Sequence, residues 1–397
     1  MSAVNVVVAG AGPVGTVAAY RLATLGFKVL LCESGPDCAI DLRASTIHSP
    51  TLEMLDALGI ADELISRGLK APEYHYRERE SGEVVSFDLS ELEGQVKYPF
   101  RLQCEQYVLA NLLATKLQEH PNAEVRFNHR LVGFEQDEDH VEVALEAPFS
   151  IEKFKCDYLV AADGGNSIIR KWLGVEFEGF TYPERFLTLS TTTELKDYIP
   201  NLCHVNYVSD PKEWMVLLRV PSVWRILVPV KEDQSDAWVV SDEKKDQVFR
   251  DLIGHSNVET EHRTIYRVHQ RVAKKFNHGR VCLVGDACHL NNPLGGFGMN
   301  SGIHDAWNLC DKIEHNLNSG HDDERFEQYD RQRRPVTHKF IQAQTIRNKK
   351  LLEHSPEENH AARLQEMKDI HNDPQRRLAF LRDQAMFSSL ADANAIL

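Results

Sequence analysis

Apolar residues at the start of the chain come as short unbroken runs split by one amphipathic stretch. Asn5–Ala9 predicts a short buried strand, and Lys28–Cys32 predicts a second. Between them, Pro13–Leu25 predicts a helix with Pro13 in its first turn, where the missing N–H costs nothing, and Gly26 stops it. Together they make a strand–helix–strand unit within about thirty residues. Thr51–Leu58 and Ala61–Arg67 predict helices. Glu73–Leu89 alternates around Ser81-Gly82, a hairpin signal. Cys104–Glu119 predicts a helix with Val108, Leu109, Leu112, Leu113 and Leu117 on its apolar face. Val125–Phe127, Leu131–Glu135 and Val141–Leu145 predict a small meander. Asp157–Ala161 and Val281–Gly285 are two more buried strands. Phe186–Val230 is β-rich, with Trp214–Val220 and Trp224–Val230 as its clearest pair. From Gly298 to near Glu353 the pattern is mostly helical, and the remainder is helical and polar.

No internal repeat or low-complexity linker divides these elements, so two units sharing the chain discontinuously are expected. Residues 1–70, 100–175 and 275–310 would form a nucleotide-binding domain, and 71–99 and 180–270 a mainly β substrate domain. Residues 311–397 would form a C-terminal helical region. The 397 residues carry a formal charge of −14, which disfavours gripping nucleic acid or a membrane surface by bulk electrostatics. An anionic ligand would then be held by backbone N–H groups, helix N-termini and single arginines. The N-terminus enters a strand without a basic leader, and no apolar run approaches the roughly 20 residues that span a bilayer. A cytoplasmic protein is expected. Its eight scattered cysteines lack metal-ligand spacing, so reduced, mostly buried thiols and no metal site are expected.

Gly10, Gly12 and Gly15 form Gly-x-Gly-x-x-Gly, with Pro13 and Val14 inside it, directly after the first strand and opening the first helix. The first glycine permits the tight turn, the second lets backbone approach a pyrophosphate, and the third allows helix and strand to pack closely. The helix N-terminus adds donors and partial positive charge. Glu33, followed by Ser34, ends the second strand 18 residues beyond Gly15. An acid there accepts from a ribose diol and repels a 2′-phosphate, which points to FAD or NAD.

Two distal segments narrow the choice. One runs Asp157-Tyr-Leu-Val-Ala-Ala-Asp163-Gly164-Gly-Asn-Ser167 and ends in Arg170. The other runs from Arg280 through Gly285-Asp286-Ala-Cys-His289 to Pro293-Leu-Gly-Gly296-Phe-Gly298-Met299-Asn300. Each is a buried strand ending in an acid and small residues, where α/β sheets place ligands. A flat ring could rest on the loop that follows Pro293, facing the N–H groups of the helix that starts near Gly298.

With these three motifs in this order, residues 4–310 resemble the flavoprotein aromatic hydroxylases, the p-hydroxybenzoate hydroxylase family. The resemblance implies an α/β fold, with a Rossmann-like FAD-binding domain of the GR2 type interleaved with a mainly β substrate domain, plus C-terminal helices. It implies that Arg43, beside Ala44, reaches the pyrophosphate or flavin edge, and that Gln106 contacts the phosphate region. Asp163 with Gly164 would serve FAD and pyridine-nucleotide binding. Asp286 would hold the ribityl chain, and Pro293 would lie near the reactive face of the flavin. It implies an FAD-dependent monooxygenase that uses NADH or NADPH and O2 to hydroxylate a small phenolic or heteroaromatic substrate through a flavin C4a-hydroperoxide. A homodimer is implied by the resemblance alone. The competing functions are an FAD-dependent oxidoreductase without oxygen insertion and a non-catalytic flavin-binding protein. No second Gly-x-Gly-x-x-Gly supplies a separate NADPH domain.

The substrate pocket is expected between the flavin and the middle β-sheet. Candidates are His48, His204, Tyr207, Arg219 and Arg225, a histidine as base and an arginine for a substrate carboxylate. Trp214 and Trp224 would line it or pack the core. His289 belongs to the Gly-Asp-Ala-x-His pattern and is expected to be structural.

Overall fold

The computed structural model describes residues 4–40, 44–353 and 360–397. Its first sheet has six strands in the order Asn277–His278, Val281–Leu283, Tyr158–Ala161, Val6–Ala9, Val29–Cys32, Ala123–Arg126. The last five run parallel. Val6, Val7, Val8, Leu159 and Val160 are fully buried, as expected for parallel strands covered on both faces. The Pro13–Thr24 helix packs on the Phe297–Ser319 and Gln106–Gln118 helices.

The predicted meander needs one correction. The strand expected at Val125–Phe127 is Ala123–Arg126, and it joins the parallel sheet beside Val29–Cys32. The meander is Arg130–Gln136, Val141–Ala147 and Ser150–Cys156. Its third strand went unpredicted because its alternation is broken: Ile151 faces solvent, and only Phe154 and Cys156 are buried.

The second large sheet has eight strands in the order His289–Leu290, His262–Ala273, Phe177–Thr191, Trp224–Val230, Met215–Arg219, Val205–Ser209, Glu73–Glu78, Val84–Asp88. All neighbours are antiparallel except Val205–Ser209 with Glu73–Glu78. Cross-strand register sets Tyr207, Val216, Leu227 and Thr188 in one row. Leu218 and Arg225 face each other two positions along, on the same side. A small third sheet pairs Arg101–Gln103 with Thr46–Ile47 and Leu69–Ala71.

The C-terminal helices pack on the eight-stranded sheet. Leu352, Met367, Ile370, Phe380 and Leu381 share a core with Tyr74, Phe87 and Leu294. All eight cysteines are free and buried. No described helix is long and apolar enough to cross a membrane.

Candidate cofactor and substrate site

An open cavity of about 1210 Å³ runs from the glycine motif to the eight-stranded sheet. The three motif glycines differ in what surrounds them. Gly10 has φ +106°, and a Cβ there would lie 2.4 Å from the Ala162 carbonyl oxygen. A Cβ on Gly15 would lie 2.0 Å from the Gly10 carbonyl oxygen. Gly12 has nothing within 4 Å of its would-be Cβ, and it borders the cavity with Pro13 and Val14. Gly10 and Gly15 are therefore packing requirements, and Gly12 keeps space open at a helix N-terminus.

Glu33 Oε2 accepts from the Ala11 N–H at 2.8 Å, and Oε1 accepts from the Gly35 N–H and the Ser34 hydroxyl, each at 2.9 Å. The carboxylate is thus held in place by the loop it faces. Glu33, Ser34, Ala44 and Gln106 all line the cavity. Arg43 lies outside the described residues.

Asp163 Oδ2 caps the short Ile168–Trp172 helix, accepting from the N–H groups of Ile168 at 2.9 Å and Ile169 at 3.2 Å. Its Oδ1 is buried and has no partner among the described residues. Burial pushes this carboxyl up from its ordinary value. Arg170 donates to the Ala287 carbonyl at 2.8 Å and the Gly165 carbonyl at 2.9 Å, tying the Asp-Gly segment to the Gly-Asp segment. Asp286 lines the cavity from the turn Gly285–Ala287.

Pro293, Gly296, Gly298 and Met299 line the cavity where the Phe297–Ser319 helix begins. Asn300 stands one layer behind. Its amide accepts from the His48 N–H at 2.9 Å and donates to the carbonyls of Thr46 at 2.8 Å and Gly296 at 2.7 Å. It clamps the loop, and the cavity wall does not include it.

The Gly-Asp turn has a buried anchor that sequence reasoning missed. Asp305, fully buried, accepts from His289 Nε2 at 2.6 Å, Arg333 Nε at 2.7 Å and the Gly285 N–H at 3.3 Å. Cys288, His289 and Asp305 lie within reach of a common metal ion. The arginine already pairs the same carboxylate, so the group reads as an ion-pair hub. His289 is held there, as its motif suggested.

The residues present fit a dinucleotide with an attached ring. They offer a space that a Cβ would fill at Gly12, a carboxylate pre-set by backbone at Glu33, and an orphaned buried oxygen at Asp163. A loop without bulk leads into a long helix. Opposite that loop, Thr188, Tyr207, Val216 and Leu227 form a mostly apolar wall with Arg225 at its edge.

The sheet brings only some of the proposed pocket residues here. Tyr207 and Pro293 line the cavity. His48 is buried behind the loop, with Nε2 2.8 Å from the Gly295 carbonyl and its ring stacked on Phe297 at 5.5 Å. His204 turns away, with Nδ1 3.2 Å from the Lys70 carbonyl. Arg219 bonds the Val220 carbonyl at 2.7 Å and sits 3.7 Å from Glu194. Neither belongs to the cavity wall, because both lie outside the inward-facing row. Trp224 bonds Glu194 at 2.7 Å, and Trp214 packs edge-on against Phe186 at 5.4 Å, so both are packing residues.

Two buried histidines carry a pH consequence: His48, and His304, whose Nε2 lies 2.9 Å from the Thr51 hydroxyl. Burial, with Arg333 nearby, lowers His304 to about 3, and burial lowers His48 well below its usual value. Each is neutral when folded and binds a proton when unfolded below about pH 6.5. Stability therefore falls with pH across roughly 6.5 to 4, by up to about 1.4 kcal/mol per unit for each histidine. Denaturant titrations at pH 7.5, 6 and 5 measure the slope, and the loss should shrink in His304→Gln. A flat profile would mean that these rings charge in the folded state.

Residues 3–344 match the FAD binding domain family model. The chain belongs to this FAD-binding family. It is 29% identical to para-nitrophenol 4-monooxygenase of Pseudomonas sp. (strain WBC-3), across 99% of this chain and 93% of that protein. It is 31% identical to 6-hydroxy-3-succinoylpyridine 3-monooxygenase of Pseudomonas putida, across 85% of both. The crystal structure of p-nitrophenol 4-monooxygenase from Pseudomonas putida DLL-E4 superposes with a TM-score of 0.91 at 28% identity, covering 98% of this chain and 99% of that one. The protein is a flavoprotein monooxygenase of the aromatic-hydroxylase group, and its cofactor is FAD. The expected α/β fold, with its parallel nucleotide-binding sheet, antiparallel sheet and C-terminal helices, is the fold observed.

Proposed function

We propose that this flavoprotein hydroxylates a small single-ring phenol or hydroxypyridine, with electrons from NADH or NADPH and oxygen from O2. The observation that carries the proposal is the continuity of one cavity. Its dinucleotide end is built by the glycine motif, and its far end is the Thr188–Tyr207–Val216–Leu227 wall facing Pro293–Phe297. When bound, FAD accepts hydride and activates O2. The chain's own residues hold, orient and enclose. The Gly12 backbone would meet the pyrophosphate, and Glu33 the ribose diol. Asp163 and Asp286 would accept from hydroxyls or waters of the bound cofactor, and the N–H groups near Gly298 and Met299 would face the ring carbonyls. The apolar wall would exclude water from the reacting ring, with Tyr207 and Arg225 at hand to orient it. We further propose two interleaved units, the parallel sheet for FAD and the eight-stranded sheet for the substrate. The ring types come from the two relatives whose names specify a nitrophenol and a hydroxypyridine.

The test is NADH and NADPH oxidation in air across a panel of nitrophenols, hydroxypyridines and phenolic acids, with H2O2 and product mass quantified together. The expected result is oxidation stimulated by one ring class, little peroxide, and a product bearing one new hydroxyl oxygen. Unstimulated oxidation that ends wholly in peroxide would refute the proposed substrates. A second expectation concerns the Gly-Asp turn: Asp286→Ala should weaken FAD retention by about 1–3 kcal/mol. Flavin release measured by fluorescence checks it, and unchanged retention would remove Asp286 from the cofactor site.

A further inference from the structure

The loop Leu290–Gly296 walls the cavity opposite the substrate sheet, and one face of a C-terminal helix holds much of it. Gln342 Nε2 donates to the Leu290 carbonyl at 3.0 Å, and Asn348 Nδ2 donates to the Leu294 carbonyl at 3.2 Å. Between them the Thr345 hydroxyl accepts from Gln270 Nε2 at 2.9 Å, and Gln270 Oε1 accepts from the Asn292 N–H at 3.0 Å. Positions 342, 345 and 348 recur every three residues, so they share one side of the helix. Thr345 is fully buried and Asn348 nearly so. The helix reaches them through a π-helical turn, Thr337–Gln342, a rare form that recurs at functional sites.

A buried loop needs partners for its backbone groups, and these side chains supply them. The loop also runs straight into a helix. The Gly296 N–H donates to the Pro293 carbonyl at 3.0 Å, and Gly296 is the N-cap of the Phe297–Ser319 helix. Gly295 beside it has φ +108°, and Asn348 Nδ2 stands 2.9 Å from where its Cβ would be. The turn that Asn348 grips is therefore continuous with the helix N-terminus, whose first-turn N–H groups have no intrahelical partner. That first turn borders the cavity at Gly298 and Met299. Hydride addition leaves negative charge on the carbonyl side of a flavin ring, so donors held there bind reduced flavin more tightly than oxidised. We propose that Gln342, Thr345 and Asn348 are positioning residues that hold the helix N-terminus, through this loop, against the FAD ring and so favour its reduced form. The inference rests on the placement of the ring beside Pro293–Met299, and it holds whichever substrate is hydroxylated.

The test uses FAD-loaded protein without substrate. Reference dyes give the midpoint potential of bound FAD, and fluorescence titration gives the affinity for oxidised FAD. Asn348→Leu and Gln342→Met should each bind oxidised FAD within about 3-fold of the parent and reduced FAD about 10-fold more weakly, a shift of about 30 mV to more negative potential for a two-electron couple. Thr345→Val should shift the same way, and Thr345→Ser, which keeps the hydroxyl, should return the parent value. Weaker FAD binding at an unchanged potential would mean that these side chains serve folding alone, and would overturn the proposal. If the leucine and methionine variants do not fold, the Thr345 pair decides it: a Thr345→Val potential equal to the parent's refutes it. Gly298→Ala tests the premise. Its methyl would stand in ordinary contact, 3.4 Å from Asn291 Oδ1, on the cavity wall, and it should alter the visible circular dichroism of bound FAD. No alteration would put the ring elsewhere and overturn the inference with its premise. An altered spectrum beside unshifted potentials would overturn the positioning role alone. None of these readouts needs turnover, so a failed hydroxylation assay beside shifted potentials would count against the reaction alone.

Discussion

Gly12→Ala should yield protein that folds and melts like the parent but purifies without flavin, whereas Gly15→Ala should not accumulate as folded protein. The two residues sit in one motif three positions apart, and the difference comes from what lies beside each α-carbon. At Gly15 a methyl group would lie 2.0 Å from the Gly10 carbonyl oxygen and 3.1 Å from the Ala162 Cβ. A backbone oxygen at the end of a fully buried strand cannot step aside, so the helix must lift away from the sheet. Overpacking of this kind costs about 1–3 kcal/mol or more where the neighbour yields, and here it does not. At Gly12 the methyl meets nothing within 4 Å in the protein and enters the space that a pyrophosphate would take. Circular dichroism melts of the apoproteins, beside flavin absorbance per chain, separate the two effects. A Gly12→Ala protein carrying a full complement of FAD would show that the backbone at Gly12 does not face the cofactor.

That contrast also marks how far the sequence leads. The order strand, glycines, helix, strand and acid was legible because every part is local, contained in residues 5–33. The Asp-Gly and Gly-Asp segments were legible for the same reason. The substrate chamber was not, because cross-strand register assembles it from residues distant in sequence, as in Thr188 beside Leu227, 39 positions on. Register decides which alternate residues face inward. It brings in Tyr207 and Thr188 while leaving His204 and Arg219 outside, although all carry plausible chemistry. Arg101 lies buried on a three-residue strand with no apolar pattern, and the Gln384 carbonyl that its Nη2 contacts is 283 residues away, so nothing local marks it. The long strand His262–Ala273 was missed because Arg263, Arg267, His269 and Arg271 break up its apolar positions, among which Val268 and Val272 are buried.

Asp305→Ala should be the most destabilising single side-chain truncation near the cofactor, by about 3–5 kcal/mol. Burial raises this carboxyl, but Arg333 and His289 more than reverse the effect, so it stays below the ordinary carboxylate range and is ionised at neutral pH. Because the folded value is depressed, the contribution is fully present above the unfolded value near 4 and is lost only as pH falls through the folded one. Removing the carboxylate leaves a guanidinium that is 1% exposed and a fully buried imidazole without their acceptor. It also frees the Gly285 N–H, on the turn that presents Asp286 to the cavity. Loss of stability and loss of FAD should therefore appear together. Asp305→Asn keeps an acceptor without the charge and should fall between. The double variant Asp305→Ala, Arg333→Met removes the stranded cation, so it should be more stable than Asp305→Ala alone. Chemical denaturation of these proteins and of Arg333→Met alone, with bound flavin measured in each, closes the cycle. If Asp305→Ala lies within about 1 kcal/mol of the parent, or the second substitution makes matters worse by its full independent cost, the buried pair is not what ties the Gly-Asp turn to the C-terminal helices.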